Sequence, residues 1–495
     1  MGSYFNVFQK LDDFLKEDIV TKSAFYISDK AYIEKNFKNI DKKTYLKEWE
    51  LYSLDKNSTY NPEILKRIET EYFSNESIWR GIINDRRLYN GVYCKYKQDY
   101  NSTFSEGQIL SIFQKTFLTI EDFFNSFSPD LIVGSNPSTL GEYIIMIIAQ
   151  KRGVKIIIPR HTKIKNYFTV VNNLSENFPK IISSFNKKIF DKDSQEAAQN
   201  YIEEFNKKHG IVYEGSIIKG NFLLKNTIKF VLDFPKLFVK QYFIKPFKKI
   251  DLHSRGNDIY KAYLIGILKD LRSLYYQKRH QKLFINLNSI KERKYIYFPL
   301  HSEPEVAITL YSKGYYNQIE LIREISFNLP IGYMLIVNEH PRNVGKRKIG
   351  YYKKLSSIPN VSIASFKVKS FDVIKHSSLV VVLSGFIGFE ASLLRKPVVS
   401  LGIANYNILP KKIINSVKNI KDLYTEIQYS LKNYQYDEAI LLDYLSSIIS
   451  NSTKINFYNV LLSKNRMGKS SDLNSFQENL TSLARLIKSN AIGKN

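Results

Sequence analysis

The chain has 495 residues, of which 44% are hydrophobic and 14% aromatic, and its formal net charge is +26. This length and apolar content favour at least two folded domains and exclude a largely disordered chain. The charge favours anionic partners, namely nucleic acid, an anionic membrane surface, or phosphorylated and carboxylated substrates; alternatively, it reflects a Lys-, Ile- and Asn-rich composition that serves solubility alone.

Cysteine content and apolar runs limit the cellular setting. The single cysteine, Cys94, excludes an intrachain disulfide, and no Cys/His spacing is typical of a zinc site, so we expect no metal. The N-terminal segment is acidic where a signal peptide would be basic and then apolar, and no apolar run approaches the ~20 residues that cross a bilayer. We therefore expect a cytoplasmic protein, with any membrane contact peripheral and at the inner face of the cytoplasmic membrane.

An α/β pattern begins near residue 109. Apolar residues recur at helical spacing from Ile109 to Phe127, and the run Leu131-Ile132-Val133 then predicts a strand. A polar loop, a helix over Leu140 to Lys151 and a strand over Val154 to Ile158 follow. Together they predict a βαβ unit of a parallel sheet, in a Rossmann-like domain that we assign to residues 1–185.

Residues 186–288 are predicted to form a helix-rich, basic linker. The stretch from Phe222 to Ile250 contains seven lysines and one acid, Asp233, with aromatic residues interleaved. This composition suits contact with an anionic lipid surface. The alternative is an ordinary pair of linker helices, broken at Pro235 and Pro246, whose lysines form the solvated face.

A second α/β pattern occupies residues 289–420 and predicts another Rossmann-like domain. The predicted strands are Tyr295 to Leu300, Tyr333 to Asn338, Val361 to Ile363, Leu379 to Leu383 and Pro397 to Leu401, and the predicted helices are Asn317 to Phe327 and Phe389 to Leu394. Residues 421–495 are expected to form helices that pack back on the domains. Two parallel-sheet domains joined by a helical linker are expected to face a cleft, and ligands of open α/β sheets bind at the carboxyl ends of strands.

Three polar clusters follow strands of this second domain. The first, His301 to Glu305, brings an imidazole and two carboxylates to a turn stiffened by Pro304. His301 is a candidate to bind phosphate or a hydroxyl, and Glu303 or Glu305 is a candidate to bind sugar hydroxyls or accept a proton. The structural alternative is that Glu305 charges the first turn of the next helix.

The second cluster, His340-Pro341-Arg342, follows the strand that ends at Asn338. His340 and Arg342 would neutralise the charge that develops on a departing nucleotide phosphate. No Asp-x-Asp metal-binding pair is visible in this domain, so fixed cationic donors would act in place of a metal. A surface loop with incidental charges is the alternative.

The third cluster, Ser384 to Glu390, lies between a buried strand and a helix. Gly385 and Gly388 allow close backbone approach, and the free N–H groups of the helix, with the Ser384 hydroxyl, favour an anionic phosphate. Glu390 is placed to accept hydrogen bonds from ribose hydroxyls. The Gly-x-x-Gly-x-Glu spacing is a weak signal alone and gains weight from its position at a strand end.

The N-terminal domain offers three further candidates. Glu142 is the candidate base that deprotonates an acceptor hydroxyl. A glutamate in the first turn of a helix is also expected from the helix dipole alone. Arg160 and His161 follow the next strand and are candidates to bind a carboxylate of an acceptor or donor.

The motifs YFPLHSEPE, VNEHPR and SGFIGFEASLLRKPVVSLG, followed by Tyr406, occur in an order that resembles the bacterial capsule polysaccharide biosynthesis proteins, a family that includes Kdo transferases of GT-B fold. The resemblance covers about residues 290–410. It implies an acceptor domain in residues 1–185 and a nucleotide-sugar domain in residues 289–420.

The resemblance also implies roles for individual residues. His340 and Pro341 match a His-Pro motif that is also seen in GT-B sialyltransferases, which use CMP-activated ulosonic acids. His340 would contact the donor phosphate, Ser384 and Gly385 would hold it, and Glu390 would face the nucleoside. The implied donor is therefore a CMP-linked sugar, such as Kdo or another nonulosonic acid. The full donor set is His340, Pro341, Arg342, Ser384, Gly385, Gly388, Glu390, Glu305 and Tyr406, and the catalytic candidates are Glu142, Glu303 and His301.

These observations predict a glycosyltransferase of capsule or lipopolysaccharide synthesis that acts without a cofactor on a glycan or glycolipid acceptor. Phe386 departs from the family pattern, because relatives often have a threonine there whose hydroxyl could bind phosphate. The open alternatives are a UDP- or GDP-hexose transferase, a sugar-nucleotide isomerase, a polyol-phosphate transferase and, outside the enzymes, a basic scaffold that binds membranes or nucleic acid. No zinc-finger or RNA-recognition motif accompanies the charge, so nucleic acid is not the expected partner.

Overall fold

The structure, a computed structural model, divides the chain into two compact units. The first contains Met1–Leu174, Lys236–Ile259 and Ser452–Asn495, and the second contains Ser175–Pro235 and Tyr260–Asn451. The structure describes residues 4–174, 178–208, 232, 235 and 271–492, apart from the internal gaps 18–19, 21, 29, 31–43, 55–58, 75, 86–87, 89–103, 273–274, 277–278, 303–305, 313, 341–342, 346 and 457–472.

The first unit begins with six described α-helices and five strands. They are α1 (Tyr4–Lys16), β1 (Phe25–Ile27), β2 (Tyr45–Lys47), α2 (Glu48–Leu51), α3 (Pro62–Ile68), α4 (Trp79–Asn84), α5 (Glu106–Phe127), β3 (Leu131–Val133), α6 (Leu140–Lys151), β4 (Lys155–His161) and β5 (Tyr167–Val171), with a π-helix over Glu69–Phe73. Helix α5 begins at a capping box on Ser105 and buries an apolar face that includes Phe113 and Phe117. Strands β3 and β4 pair in parallel, and α6 lies between them in the chain, so the predicted βαβ order is confirmed.

The second unit contains the following elements in chain order. They are α7 (Pro179–Lys187), α8 (Lys192–Lys208), β6 (Phe284–Ile285), α9 (Leu287–Lys291), β7 (Tyr295–Pro299), α10 (Val306–Thr309), α11 (Gln318–Phe327), β8 (Met334–Asn338), α12 (Ile349–Ser356), β9 (Val361–Ala364), α13 (Ser370–His376), β10 (Leu379–Val382), α14 (Ile387–Leu393), β11 (Val398–Ser400), β12 (Ile414–Ser416), α15 (Leu423–Asn433) and α16 (Glu438–Ser450). Short 3-10 helices cover Gln281–Leu283, Asn405–Ile408 and Ile420–Asp422.

The sheet of the second unit is parallel throughout, with strand order β12-β11-β10-β7-β8-β9-β6. Without the edge strand β6, this is the order of a doubly wound nucleotide-binding sheet, in which the strand order reverses between β7 and β10. Strands β7, β10 and β11 are buried along their whole length, as expected for a sheet covered on both faces. The α/β class and the parallel sheet predicted for residues 289–420 are confirmed.

Several elements of the second unit carry too little signal to predict. Strand β6 has two residues and β12 has three, so neither forms a recognisable apolar run. Both are edge strands, and their pairing depends on β9 and β11 beside them. Tertiary contacts therefore define these two strands.

The chain returns to the first unit through β13 (Thr453–Lys454) and α17 (Leu473–Ile492). The four-stranded sheet has the order β13-β5-β4-β3, in which only β3 and β4 are parallel among the described strands. The parallel prediction therefore holds for the βαβ pair, and the rest of this sheet is antiparallel. The physical reason is the five-residue connection 162–166, which permits a hairpin and is too short for a parallel crossover.

Apolar packing joins the two ends of the chain in the first unit. Leu480, Leu483 and Ile487 of α17 pack in one core with Leu11 of α1 and Phe168 of β5. None of the helices given above combines the length and apolar composition needed to cross a bilayer. The predicted membrane-contacting stretch 222–250 lies outside the described residues, except for 232 and 235.

Candidate functional site

The candidate site lies where β7 and β10 run side by side in the second unit. The loop after β7 carries His301, and the loop after β10 carries Ser384 and Gly385. Because these strands are parallel neighbours, both loops leave the same edge of the sheet. This is the switch point of the doubly wound order, where such sheets bind ligands. The structure thus places the first and third clusters identified in the sequence side by side.

His301 lies directly over Gly385. A β-carbon built on Gly385 would be 3.1 Å from Cε1 and 3.6 Å from Nε2 of the His301 ring. A side chain at residue 385 would therefore push the imidazole away. The glycine thus leaves room for the imidazole, which lies against the backbone of residue 385.

Tyr406 supports the same loop through a hydrogen bond. Its hydroxyl donates a 2.5 Å hydrogen bond to the carbonyl oxygen of Gly385, and its side chain is almost completely buried. A β-carbon on Gly388 would lie only 2.5 Å from that hydroxyl, so residue 388 must be glycine for the tyrosine to fit. The packing of Tyr406 against Gly388 and its hydrogen bond to Gly385 therefore fix the backbone position of Gly385.

A buried ion pair contacts the backbone of His301, and the sequence patterns did not predict it. The Nε of Arg347 is 2.8 Å from a carboxylate oxygen of Glu339, which also accepts a 2.9 Å hydrogen bond from Tyr352. A second guanidinium nitrogen donates to the carbonyl oxygen of His301 at 2.6 Å. Arg347 falls in a basic, loop-like stretch of sequence, so no periodicity distinguishes it from a surface cation.

Further hydrogen bonds tie the loops after β7 and β8 together. The backbone N–H of His301 donates to the Gln318 side chain at 2.7 Å, and the Ser302 hydroxyl donates to Asn343 at 2.8 Å. Asn343 in turn donates its backbone N–H to the carbonyl oxygen of His340 at 2.7 Å. The His340 N–H donates to the second carboxylate oxygen of Glu339 at 2.8 Å. The backbones of both histidines are therefore fixed by one connected network.

Glu390 occupies an unusual electrostatic position. Burial raises the pKa of its carboxyl to about 7. Tyr201 of α8 and Tyr297 of β7 are close enough for the Glu390 charge to raise the pKa values of both phenols further. Near neutral pH the carboxyl is thus divided between a form that accepts hydrogen bonds and a form that also donates one.

The helix after the glycine loop is short. Helix α14 has seven residues, and its aligned peptide dipoles therefore add little field at its first turn. Ser384 at the start of the loop is buried. The chemistry available here thus depends more on His301 and the loop backbone than on the helix dipole on which the sequence argument relied.

In the first unit, Glu142 has a defined structural task. Its carboxylate accepts hydrogen bonds from the backbone N–H groups of Ser138, at 2.7 Å, and Thr139, at 3.1 Å, while Thr139 caps α6 in return. This is a complete capping box. The geometry favours the helix-terminus role that the sequence left open beside general-base catalysis.

Arg160 and His161 are the last two residues of β4, which extends three residues beyond the predicted strand end at Ile158. Arg160 is buried and donates a hydrogen bond to the side chain of Asn136 in the loop after β3. Burial, followed by the nearby charge of Lys163, lowers the pKa of His161 to about 4, and its Nδ1 accepts a 2.6 Å hydrogen bond from the Lys163 N–H. His161 is therefore neutral at neutral pH, and Arg160 is the cation of this pair.

Four candidate residues lie outside the described residues, namely Glu303, Glu305, Pro341 and Arg342. Within the described part of the chain, no group of His, Cys, Asp and Glu side chains has the arrangement of a metal site.

Comparison with known proteins identifies the sequence around this site. Residues 218–410 match the model of the family described as "Capsule polysaccharide biosynthesis protein". No curated protein sequence matches the chain significantly. The family resemblance predicted for about residues 290–410 is confirmed, and the match extends back to residue 218.

Solved structures show weaker similarity. The β-Kdo 2,7 transferase KpsC of Thermosulfurimonas dismutans is 13% identical, with 78% of this chain and 98% of that chain covered and a TM-score of 0.36. The β-Kdo 2,4 transferase KpsC of the same organism is 11% identical, with coverages of 64% and 79% and a TM-score of 0.36. A UDP-GlcNAc 2-epimerase from Neisseria meningitidis is 14% identical, with coverages of 68% and 80% and a TM-score of 0.23. The segment that matches the capsule polysaccharide biosynthesis family model, residues 218–410, contains His301, Gly385 and Tyr406.

Proposed function

We propose that this chain is a GT-B glycosyltransferase of bacterial surface polysaccharide synthesis whose second unit binds a nucleotide sugar. The observation that carries the proposal is the position of His301 over Gly385 at the switch point between β7 and β10. In doubly wound sheets this crevice is where nucleotides bind. An imidazole beside a glycine backbone provides hydrogen-bond donors of the kind that bind a phosphate.

The rigid support of the two histidines favours catalysis by fixed donors. In sugar transfer an acceptor hydroxyl gives its proton to a base as its oxygen attacks the anomeric carbon. The bond from that carbon to the donor phosphate oxygen breaks, and the nucleotide leaves with the negative charge. Donors that are already positioned stabilise this charge without reorganising. The Glu339–Arg347 pair and Asn343 hold the His301 and His340 backbones in this way.

For the donor we propose a CMP-linked, Kdo-like sugar, on the strength of the His340-Pro341 motif. His340 follows β8, which lies beside β7 in the sheet, so its backbone leaves the same edge as His301. For the acceptor we propose a glycan or glycolipid with a carboxylate bound by Arg160, which is the buried cation at the end of β4. Such an acceptor agrees with peripheral action at the inner face of the cytoplasmic membrane.

The test is acceptor-dependent release of nucleotide. Purified protein is incubated with CMP-, UDP- and GDP-sugars, with and without a capsule-type oligosaccharide, and free nucleotide is measured. We expect release of CMP only when acceptor is present. Conversion of a donor without acceptor would instead identify an isomerase and reject transfer. Release of UDP or GDP alone would keep the transferase and reject the CMP donor.

Variants and binding measurements separate the site from the fold. His301→Ala should lower turnover at least a hundredfold. His376→Ala, at the end of α13, should retain it because that ring is hydrogen-bonded to the carbonyl oxygen of Asp372 in its own helix. Bound nucleotide at a hundred times its dissociation constant should stabilise the protein by about 2.7 kcal/mol. Absence of any nucleotide-dependent thermal shift, together with tight and salt-sensitive DNA binding, would favour the basic scaffold instead.

A further inference from the structure

The amino-terminal ends of β7, β8 and β9 form an edge of the sheet opposite the candidate site. Parallel strands begin at the same edge, so the segments that precede them lie side by side. The N–H of Met334 donates to the carbonyl oxygen of Lys294 at 3.2 Å, and that of Leu335 donates to Asn360 at 2.8 Å. We call residues 291–294, 327–333 and 353–360 the amino edge.

Two large apolar side chains of the amino edge face solvent. The Phe327 side chain is 71% exposed, and Ile331 is fully exposed. Their loop is well fixed, because the Tyr333 N–H donates to the carbonyl oxygen of Pro330 at 3.2 Å and the Asn360 side chain donates to that of Ser326 at 2.7 Å. The loop therefore presents both side chains outward. Such exposure is unfavourable in water and is recovered when an apolar partner covers it.

Exposed cations share the amino edge with this apolar pair. The amino edge has five exposed cations and one acid, Glu292. The exposed cations are Lys291, Arg293, Lys294, Lys353 and Lys354. Glu324 of α11 accepts a hydrogen bond from the Asn328 side chain. The partner that complements this surface is therefore apolar where Phe327 and Ile331 insert and anionic where the cations lie.

We propose that the amino edge docks on an anionic lipid surface, with Phe327 and Ile331 inserted among the headgroups and the lysines and arginine of this edge at lipid phosphates. Exposed apolar side chains on an edge rich in cations are the composition of interfacial anchors, and this composition agrees with the charge of +26 on the whole chain. Because the candidate site lies at the carboxyl ends of the same strands, docking at the amino edge leaves the site uncovered.

Insertion is tested with the full-length protein and vesicles of phosphatidylcholine, with or without phosphatidylglycerol. Phe327→Trp places a fluorescent reporter at the tip. Ile189→Trp is the matched control, because Ile189 is 65% exposed in the connection between α7 and α8. We expect the emission of Phe327→Trp to shift to the blue with anionic vesicles alone and that of Ile189→Trp to stay unchanged. A protein that binds vesicles without a shift at residue 327 overturns the proposal.

Co-sedimentation measures the contribution of each part of the surface. Phe327→Ser/Ile331→Ser should reduce partitioning onto anionic vesicles at least tenfold, whereas Ile189→Ser should not change it. Arg293→Gln/Lys294→Gln should weaken partitioning and reduce its salt dependence. All three variants, namely Phe327→Ser/Ile331→Ser, Ile189→Ser and Arg293→Gln/Lys294→Gln, should keep the thermal midpoint and the turnover of the wild type on soluble substrates. The proposal is overturned if Phe327→Ser/Ile331→Ser partitions onto vesicles as the wild type does, or if the wild type binds neither kind of vesicle. Either result points to a protein partner.

Discussion

Arg347 donates a hydrogen bond to the carbonyl oxygen of His301 at 2.6 Å, although the two residues are 46 positions apart in the sequence. The same guanidinium is paired with Glu339, whose other carboxylate oxygen accepts the N–H of His340. One buried ion pair thus connects the loops that follow β7 and β8. The positions of both histidines depend on it.

Loss of this pair should destabilise the second unit. Arg347→Met leaves the Glu339 carboxylate buried without its cation, and we expect a loss of about 3 kcal/mol in unfolding free energy. Glu339→Gln/Arg347→Met should recover part of that loss, because no uncompensated charge remains. Urea unfolding of the wild type, Arg347→Met and Glu339→Gln/Arg347→Met measures both effects. Arg323→Met is the matched control, since its pair with Glu320 is exposed and should change stability by less than about 0.5 kcal/mol.

Two glycines should respond oppositely to alanine. In Gly388→Ala the new methyl group would meet the Tyr406 hydroxyl at 2.5 Å, and we expect a loss of about 1–3 kcal/mol with displacement of the Gly385 loop. In Gly350→Ala nothing lies within 4 Å of the methyl group, and alanine favours α12, so a gain of about 0.5–1 kcal/mol is expected. Thermal unfolding distinguishes them. Equal responses would mean that Tyr406 does not pack tightly on Gly388.

The stability of the protein should depend on the protonation of Glu390. Burial raises its pKa from 4.5 to about 7, so the folded protein keeps a proton that the unfolded chain releases between these values. The contribution of this bound proton to the free energy of unfolding is complete below pH 4.5 and is lost as the pH rises through 7. Between pH 5 and 8 we expect wild type to lose about 1–3 kcal/mol more than Glu390→Gln. Parallel pH profiles of the two thermal midpoints would contradict this, and exposed Glu324→Gln serves as the control.

Glu142→Gln separates capping from catalysis. A glutamine can complete the capping box of α6 but cannot accept a proton from an acceptor hydroxyl. From the contacts with Ser138 and Thr139 we expect stability within about 0.5 kcal/mol of wild type and nearly unchanged turnover. Turnover reduced a hundredfold at normal stability would instead identify Glu142 as the base. Thr139→Ala, which removes the cap itself, should cost about 1 kcal/mol.

Local sequence patterns predicted most of the elements that carry the site. The buried strands β7, β8 and β10 are apolar runs, and α6 and α11 show clear helical patterns, so each was located to within one or two residues. The edge strands β6 and β12 are too short for such a signal and form through pairing with their neighbours. The antiparallel part of the first sheet was not predicted, because an apolar run does not specify the direction of its partner.

The sequence by itself determined the two α/β patterns and the strand-end positions of His301, His340 and Gly385, because apolar periodicity and glycine spacing are local properties. Only the tertiary structure decided that His301 lies over Gly385, that Tyr406 needs Gly388, and that Arg347 pairs with Glu339. These contacts join residues on different strands and loops, and their partners are chosen by the order and register of the sheet. A charged residue in a polar stretch has the same local pattern whether it faces water or a buried carboxylate.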